Sequence, residues 1–301
     1  MKIGFLFPGQ GSQSIGMGKD LYENYESVRK IYQKVKDITG IDVAKISLEG
    51  EAEELNKTQN TQLCILTMSL AMLDLLDKQN IKADACAGLS LGEYTALIYS
   101  KALSFEEGVK LVQKRGEYMQ NLLPSGEWLM AAIIGLTADK VEEVCSRVKK
   151  GFVAVANYNS PEQIVISGEK DAVAEAETIA KEMGAKKVVV LKTAGPFHTQ
   201  KLLKVSQVFK NDLEKVTFSE FTVPVIKNLD GTVYKKEDNI KEILEKHIIS
   251  PVRFSKSLET MLDMGIDTFI EVGPGKTLSG FAKRIKTDKE IKIRTVPNGC
   301  F

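Results

Sequence analysis

Short apolar runs alternate with amphipathic stretches along most of the chain, the pattern of strands exchanging with helices. Residues 2–7 form an apolar run of strand length, and Pro8-Gly9-Gln10-Gly11-Ser12 follows as a glycine-rich loop. Helical periodicity appears over about 19–38. The segment 61–76 is apolar nearly all round, which predicts a buried helix. A strand over 83–87 and a helix over 93–99 come next. Ser104-Phe-Glu-Glu107 is a capping-box pattern that opens a helix reaching about residue 123. Pro124-Ser125-Gly126 breaks it.

The pattern then tightens. A strand is predicted over 128–134, a helix over 137–149, strands over 151–156 and 163–167, a helix over 171–183 and a strand over 187–191. The order βαββαβ is that of a ferredoxin-like unit, set as an insertion (127–192) into a larger α/β domain (1–126 and 193–301). Beyond it the pattern predicts a helix over about 200–216, a strand over 223–228, helices over 241–249 and 253–264, a strand over 268–272 and a helix over 278–285. Asp230-Gly231 is a hairpin-type turn. Gly273-Pro-Gly-Lys-Thr277 resembles the tail of a phosphate-binding loop, but Ile270 stands where that loop needs its first glycine, which argues against a nucleotide site.

One junction carries candidate chemistry. Gly88-Leu89-Ser90-Leu91-Gly92 sits between a predicted strand and a predicted helix, the setting of a nucleophile elbow. A serine there lies at a helix N-terminus, where free N–H groups favour a developing oxyanion. The same pentapeptide also serves as a plain small-residue turn. Serine chemistry through an imidazole has only His198 and His247 to draw on, the two histidines of the chain. Arg115 falls on the apolar stripe of its helix with Leu111, Val112, Tyr118, Met119 and Leu122. Its charge either snorkels to water or grips an anion, because burying it unpaired is costly.

Composition narrows the partners. The 301 residues are 43% hydrophobic and 27% charged, with net charge +1, which gives no electrostatic case for nucleic acid or an anionic membrane. No apolar run reaches the length of a membrane span, and the N-terminal run is too short for a signal peptide, so a cytoplasmic location is expected. Cys64, Cys86, Cys145 and Cys300 are far apart and form neither a zinc set nor a disulfide framework.

Seven motifs occur in order along the chain: Phe7-Pro-Gly-Gln-Gly11, Gly88-Leu-Ser-Leu-Gly-Glu93, Arg115-Gly116, Asn157-Tyr-Asn-Ser-Pro-Glu-Gln163, Gly195-Pro-Phe-His198, Ser250-Pro-Val-Arg253 and Glu271-Val-Gly-Pro-Gly275. Together they closely resemble the malonyl-CoA:acyl carrier protein transacylase family. The resemblance implies an α/β-hydrolase-like core with a ferredoxin-like insertion. It implies transfer of a malonyl group from malonyl-CoA to the phosphopantetheine thiol of acyl carrier protein, for fatty acid synthesis, with no cofactor or metal. An acyl-thioester hydrolase on the same elbow, or supply of a polyketide synthase, are the alternatives. It further implies Ser90 as nucleophile, His198 as base, and the backbone N–H groups of Gln10 and Leu91 as oxyanion hole. Arg115 would hold the malonyl carboxylate, with Phe197 and Asn157 also at the substrate. A backbone carbonyl near His247 would orient the imidazole. Two positions depart from the family's pattern: Leu89, where many members have histidine, and His247, where many have glutamine. A monomer is expected.

Overall fold

The apolar runs at 2–7, 83–87 and 268–272 are too continuous for a sheet with one wet face, and they form a parallel sheet buried on both sides. The computed structural model describes residues 1–191, 195–285, 287–288 and 290–296. The boundary expected between 192 and 193, and Cys300, lie outside the described residues. Five strands, β1 (Ile3–Phe7), β2 (Ala85–Gly88), β7 (Val225–Ile226), β8 (Thr268–Glu271) and β9 (Lys292–Thr295), make one sheet in the order β7-β2-β1-β8-β9, with every pair parallel. Alternate residues divide its core. Phe5, Phe7 and Cys86 pack on one face with the buried helix Thr58–Lys78, and Leu6, Ala85 and Ala87 pack on the other with the helix Phe254–Asp263.

The remaining strands, β3 (Trp128–Ile134), β4 (Val153–Ser160), β5 (Gln163–Glu169) and β6 (Lys187–Val190), form an antiparallel sheet in the order β4-β5-β3-β6. Ala131, Ile133, Ile164 and Ile166 face the helices Ala138–Arg147 and Lys170–Glu182 and make a core of their own. Met130, Ala132, Ala156 and Val165 point the other way and join the main core. This second face lies over the end of the parallel sheet and roofs the cleft described below.

Several elements depart from the sequence pattern. The periodicity over 19–38 is two helices, Lys19–Asn24 and Glu26–Thr39, broken at Tyr25, whose backbone is extended (φ −123°, ψ 116°). The strand predicted over 151–156 runs on to Ser160, with irregularities between Val155 and Asn157 and between Tyr158 and Ser160. Its asparagines are buried facing the cleft, so polarity there does not mark a loop. The strand predicted over 223–228 shrinks to Val225–Ile226, because the chain turns back at once: the Lys227 N–H donates to the Thr232 carbonyl at 2.8 Å. A 3-10 turn, Gln200–Leu202, precedes the helix Leu203–Glu214. Strand β9 escaped the pattern because it is an edge strand of mixed polarity, half exposed.

The Gly273-Pro-Gly loop does not present its helix N-terminus to an anion. The buried Glu271 accepts from the N–H groups of Leu278 at 3.0 Å and Ser279 at 2.8 Å, occupying donors that a phosphate would need. Among the described residues no helix is long and apolar enough to cross a membrane, and no group of three His, Cys, Asp or Glu is placed to hold a metal ion.

Candidate active site

A tight approach of backbone to backbone builds the elbow. A Cβ on Gly88 would fall 1.9 Å from the Gly92 carbonyl carbon, and one on Gly92 would fall 2.0 Å from the Phe7 carbonyl oxygen. Only glycine fits at either position, which is why the strand can turn straight into the helix Gly92–Tyr99. Ser90, at the tip, has φ +54°. His198 has φ +58°, so two of the four non-glycine residues with positive φ among those described are this serine and this histidine. Such strain collects at functional sites because the surroundings must over-determine it.

The two side chains meet across 108 residues of sequence. Ser90 Oγ lies 2.7 Å from His198 Nε2. His198 Nδ1 lies 3.1 Å from the His247 carbonyl oxygen. That oxygen can only accept, so the proton sits on Nδ1 and the bare Nε2 accepts from the serine hydroxyl, a tautomer inferred from the partners. Burial, followed by the positive charge of Arg115, pulls the His198 pKa down to about 4, against weaker opposing bonds from backbone groups of His247 and Ser250. A neutral imidazole hydrogen-bonded to a hydroxyl is a competent general base.

Arg115 is 1% exposed. Its Nη1 donates to Gln62 Oε1 at 2.6 Å and its Nη2 to Ser90 Oγ at 3.0 Å, and the guanidinium carbon lies 5.4 Å from the Tyr94 ring centroid. The Nε–H has no partner among the described residues. No described carboxylate pairs with this cation. Of the two possibilities open in the sequence, snorkelling is therefore wrong: the head is buried, held by neutral groups, and aimed at the serine. A cation so placed can bind an anion that enters the site.

These groups open on a cavity of about 570 Å³. Gln10 and Leu91 lie on its wall, and neither N–H has an acceptor among the described residues. Asn157 and Phe197, both buried, line it as well. Leu89 lies on the same wall and also packs on the core cluster around Leu278 and Phe281, so an apolar side chain takes the place beside the serine.

His247 does not reach the serine. Its ring is wholly buried and tilted against the His198 ring, with centroids 4.9 Å apart and planes at 31°. Its Nδ1 lies 3.4 Å from Glu93 Oε2, but without hydrogen-bond geometry, and both ring nitrogens lack a hydrogen-bond partner among the described residues. We regard this as a contact and not as an ion pair, because burial, then the neighbouring His198 and Arg115, hold the His247 pKa well below the ordinary value. Of the two histidines only His198 is in place to act as base, and His247 contributes its carbonyl.

Sequence reasoning missed three residues. Gln62, which holds Arg115, lies at the start of the segment 61–76 that reads as apolar nearly all round; a buried glutamine there had to find a partner. Glu93 is fully buried, accepts from Tyr234 Oη at 2.6 Å, and has its pKa raised to about 7 by burial. Asn228 lies against the elbow with both ends of its amide engaged.

Comparison with known proteins places the chain in a wider group. The acyl transferase domain family matches residues 4–296. The malonyl CoA-acyl carrier protein transacylase of Bacillus subtilis is 42% identical over 286 residues, covering 94% of this chain and 90% of that protein. The solved transacylase of the same name from Clostridium perfringens superposes with a TM-score of 0.93 at 41% identity, covering 98% of this chain and 93% of that one. A malonyl-transacylase solved in complex with a type II polyketide acyl carrier protein superposes with a TM-score of 0.92 at 32% identity, covering 98% and 95%.

Proposed function

The chain belongs to the malonyl-CoA:acyl carrier protein transacylase family, and we propose from that premise how its own residues perform the reaction. The enzyme is an acyltransferase that moves a malonyl group from malonyl-CoA to acyl carrier protein for fatty acid synthesis. The observation that carries the residue assignment is the buried Arg115, which has no carboxylate partner among the described residues and lies 3.0 Å from the hydroxyl that His198 is ready to deprotonate.

The malonyl carboxylate docks on Arg115, whose flat fork holds it in two places and sets the thioester carbonyl over Ser90. Oγ attacks that carbon while Nε2 of His198 takes the hydroxyl proton. The oxyanion lies between the N–H groups of Gln10 and Leu91. Collapse breaks the C–S bond, and the CoA sulfur leaves with the proton from His198, giving malonyl-Ser90. The carrier thiol then gives its proton to His198 and attacks the ester. Expulsion of Oγ, reprotonated by His198, releases malonyl carrier protein and restores the enzyme. The His247 carbonyl fixes the tautomer but stabilises imidazolium less than a carboxylate would. In the acylation half a sulfur leaving group departs easily, so less help is needed there from a strongly stabilised imidazolium.

The sign of the pH dependence follows from the depressed pKa. His198 is neutral and able to accept a proton at every pH above about 4, and activity is lost as pH falls through that value. The acid limb of kcat/KM for acylation should have its midpoint near 4. A midpoint near the ordinary 6.5 would contradict the assigned environment.

The division of the chain belongs to the same proposal. Residues 1–126 and 193–301 make an α/β-hydrolase-like catalytic part, supported by the parallel sheet and its elbow. Residues 127–192 make a ferredoxin-like unit, supported by its βαββαβ order and antiparallel strand order. A cytoplasmic setting is also proposed, supported by free thiols at Cys64, Cys86 and Cys145.

The test is partition of label. With radiolabelled malonyl-CoA and pure holo-carrier protein, most label should move to the carrier. Predominant free malonate would mean that the elbow serves a hydrolase.

A further inference from the structure

Ser90 is held in the left-handed region, which is strained for a residue with a Cβ, so its backbone needs support on both sides. On one side the end of β1 supplies it: the Leu89 N–H donates to the Phe7 carbonyl at 2.9 Å. On the other side the sheet has run out. Strand β7 pairs Cys86 with Val225 and Ala87 with Ile226, and there it stops. Continued in register, the ladder would set Leu89 opposite Asn228, which would bond the carbonyl of Gly88 and the N–H of Ser90.

The main chain at 228 cannot do this. Lys227 is already paired with Thr232, the Gly231 N–H donates back to the Lys227 carbonyl at 2.9 Å, and the Asn228 carbonyl accepts from Arg253 N–H at 2.9 Å. The side chain does it instead. Asn228 Nδ2 donates to the Gly88 carbonyl at 2.6 Å, and Oδ1 accepts from the Ser90 N–H at 2.6 Å. A carboxamide carries a donor and an acceptor side by side, as a peptide group does, and the two partners fix which end is which. Asn228 is fully buried. Its own N–H donates to Glu93 Oε2 at 3.4 Å, and Glu93, on the helix that follows the elbow, is held in turn by Tyr234. The clamp thus spans the elbow from the strand before the serine to the helix after it.

We propose that Asn228 is a positioning residue whose side chain supplies the missing rung of the β2–β7 ladder and so holds the nucleophile. By fixing the Ser90 backbone it aims Oγ at His198 and the Leu91 N–H at the oxyanion. The proposal rests on Ser90 being the nucleophile. Displacements of the order of 1 Å in such a site cost about a hundredfold in rate.

The readout is the first-order rate constant for malonylation of Ser90, followed by rapid-quench mass spectrometry under saturating malonyl-CoA. It reports only molecules that are folded, and so separates positioning from stability. Asn228→Ala should lower it about a hundredfold, with KM changed by less than about threefold. Asn228→Asp, of the same shape but unable when ionised to donate to Gly88, should lose about tenfold or more. It carries the test by itself if the alanine variant does not fold. A rate constant within about threefold of wild type, with only a smaller burst amplitude, would show a purely structural side chain and overturn the proposal. Absence of any Ser90 adduct in the wild-type enzyme would instead overturn the reading of the nucleophile.

Discussion

Arg115→Ala is expected to lower kcat/KM for malonyl-CoA by about a hundredfold or more, while acetyl-CoA is affected much less. Truncating one partner of a desolvated charge pair costs about 2–5 kcal/mol, mostly because the other charge is left buried and unpaired. Here that other charge is the malonyl carboxylate. Acetyl-CoA lacks the group and leaves nothing unpaired. The ratio of the two kcat/KM values, measured on one preparation, is the deciding quantity, since any loss of folded protein divides out. An unchanged preference for malonyl over acetyl would refute the role of Arg115. Arg115→Lys should restore little, because a point charge lacks the fork that Gln62 holds flat.

His198→Ala should slow acylation of Ser90 by about a thousandfold, within the range that general-base assistance supplies. The hydroxyl then has no proton acceptor, and the positive Arg115 next to it gives only electrostatic help. His247→Gln should cost less than about tenfold, because the main-chain carbonyl, which any residue keeps, is the group that bonds the base, and the ring only packs beside it. The pair of variants distinguishes the two histidines. Retention of near-wild-type acylation in His198→Ala, with loss in His247→Gln, would reverse the assignment.

The elbow was legible because its chemistry is local. Two glycines around a serine, a strand before and a helix after, can be read from a short stretch. Arg115 was legible as an anomaly on an apolar stripe, and its burial removed the snorkelling alternative. The pairing of Ser90 with His198 was different. The scarcity of histidine reduced the candidates to two, but the choice between them came from the resemblance, and the distances now rest on tertiary structure. Gln62 was hidden because amides in the first turns of a long apolar helix do not disturb its pattern. Asn228 was hidden more deeply, since its importance depends on where β7 ends. A strand predicted through 228 would have used its main chain and left its side chain without a purpose. The polar end of β4 failed for a related reason: Asn157 and Asn159 face a cleft, and one chain's polarity pattern does not distinguish a cleft from solvent.

The central claim is that Ser90 carries the malonyl group between two thiols. Intact-mass and peptide mass spectrometry of the enzyme, quenched shortly after mixing with malonyl-CoA and without carrier protein, tests it directly. The account predicts one malonyl group per chain, on the peptide containing Ser90 and absent in Ser90→Ala, discharged when holo-carrier protein is added. An enzyme that transfers malonyl at full rate with no adduct on Ser90, or with the adduct elsewhere, would contradict it.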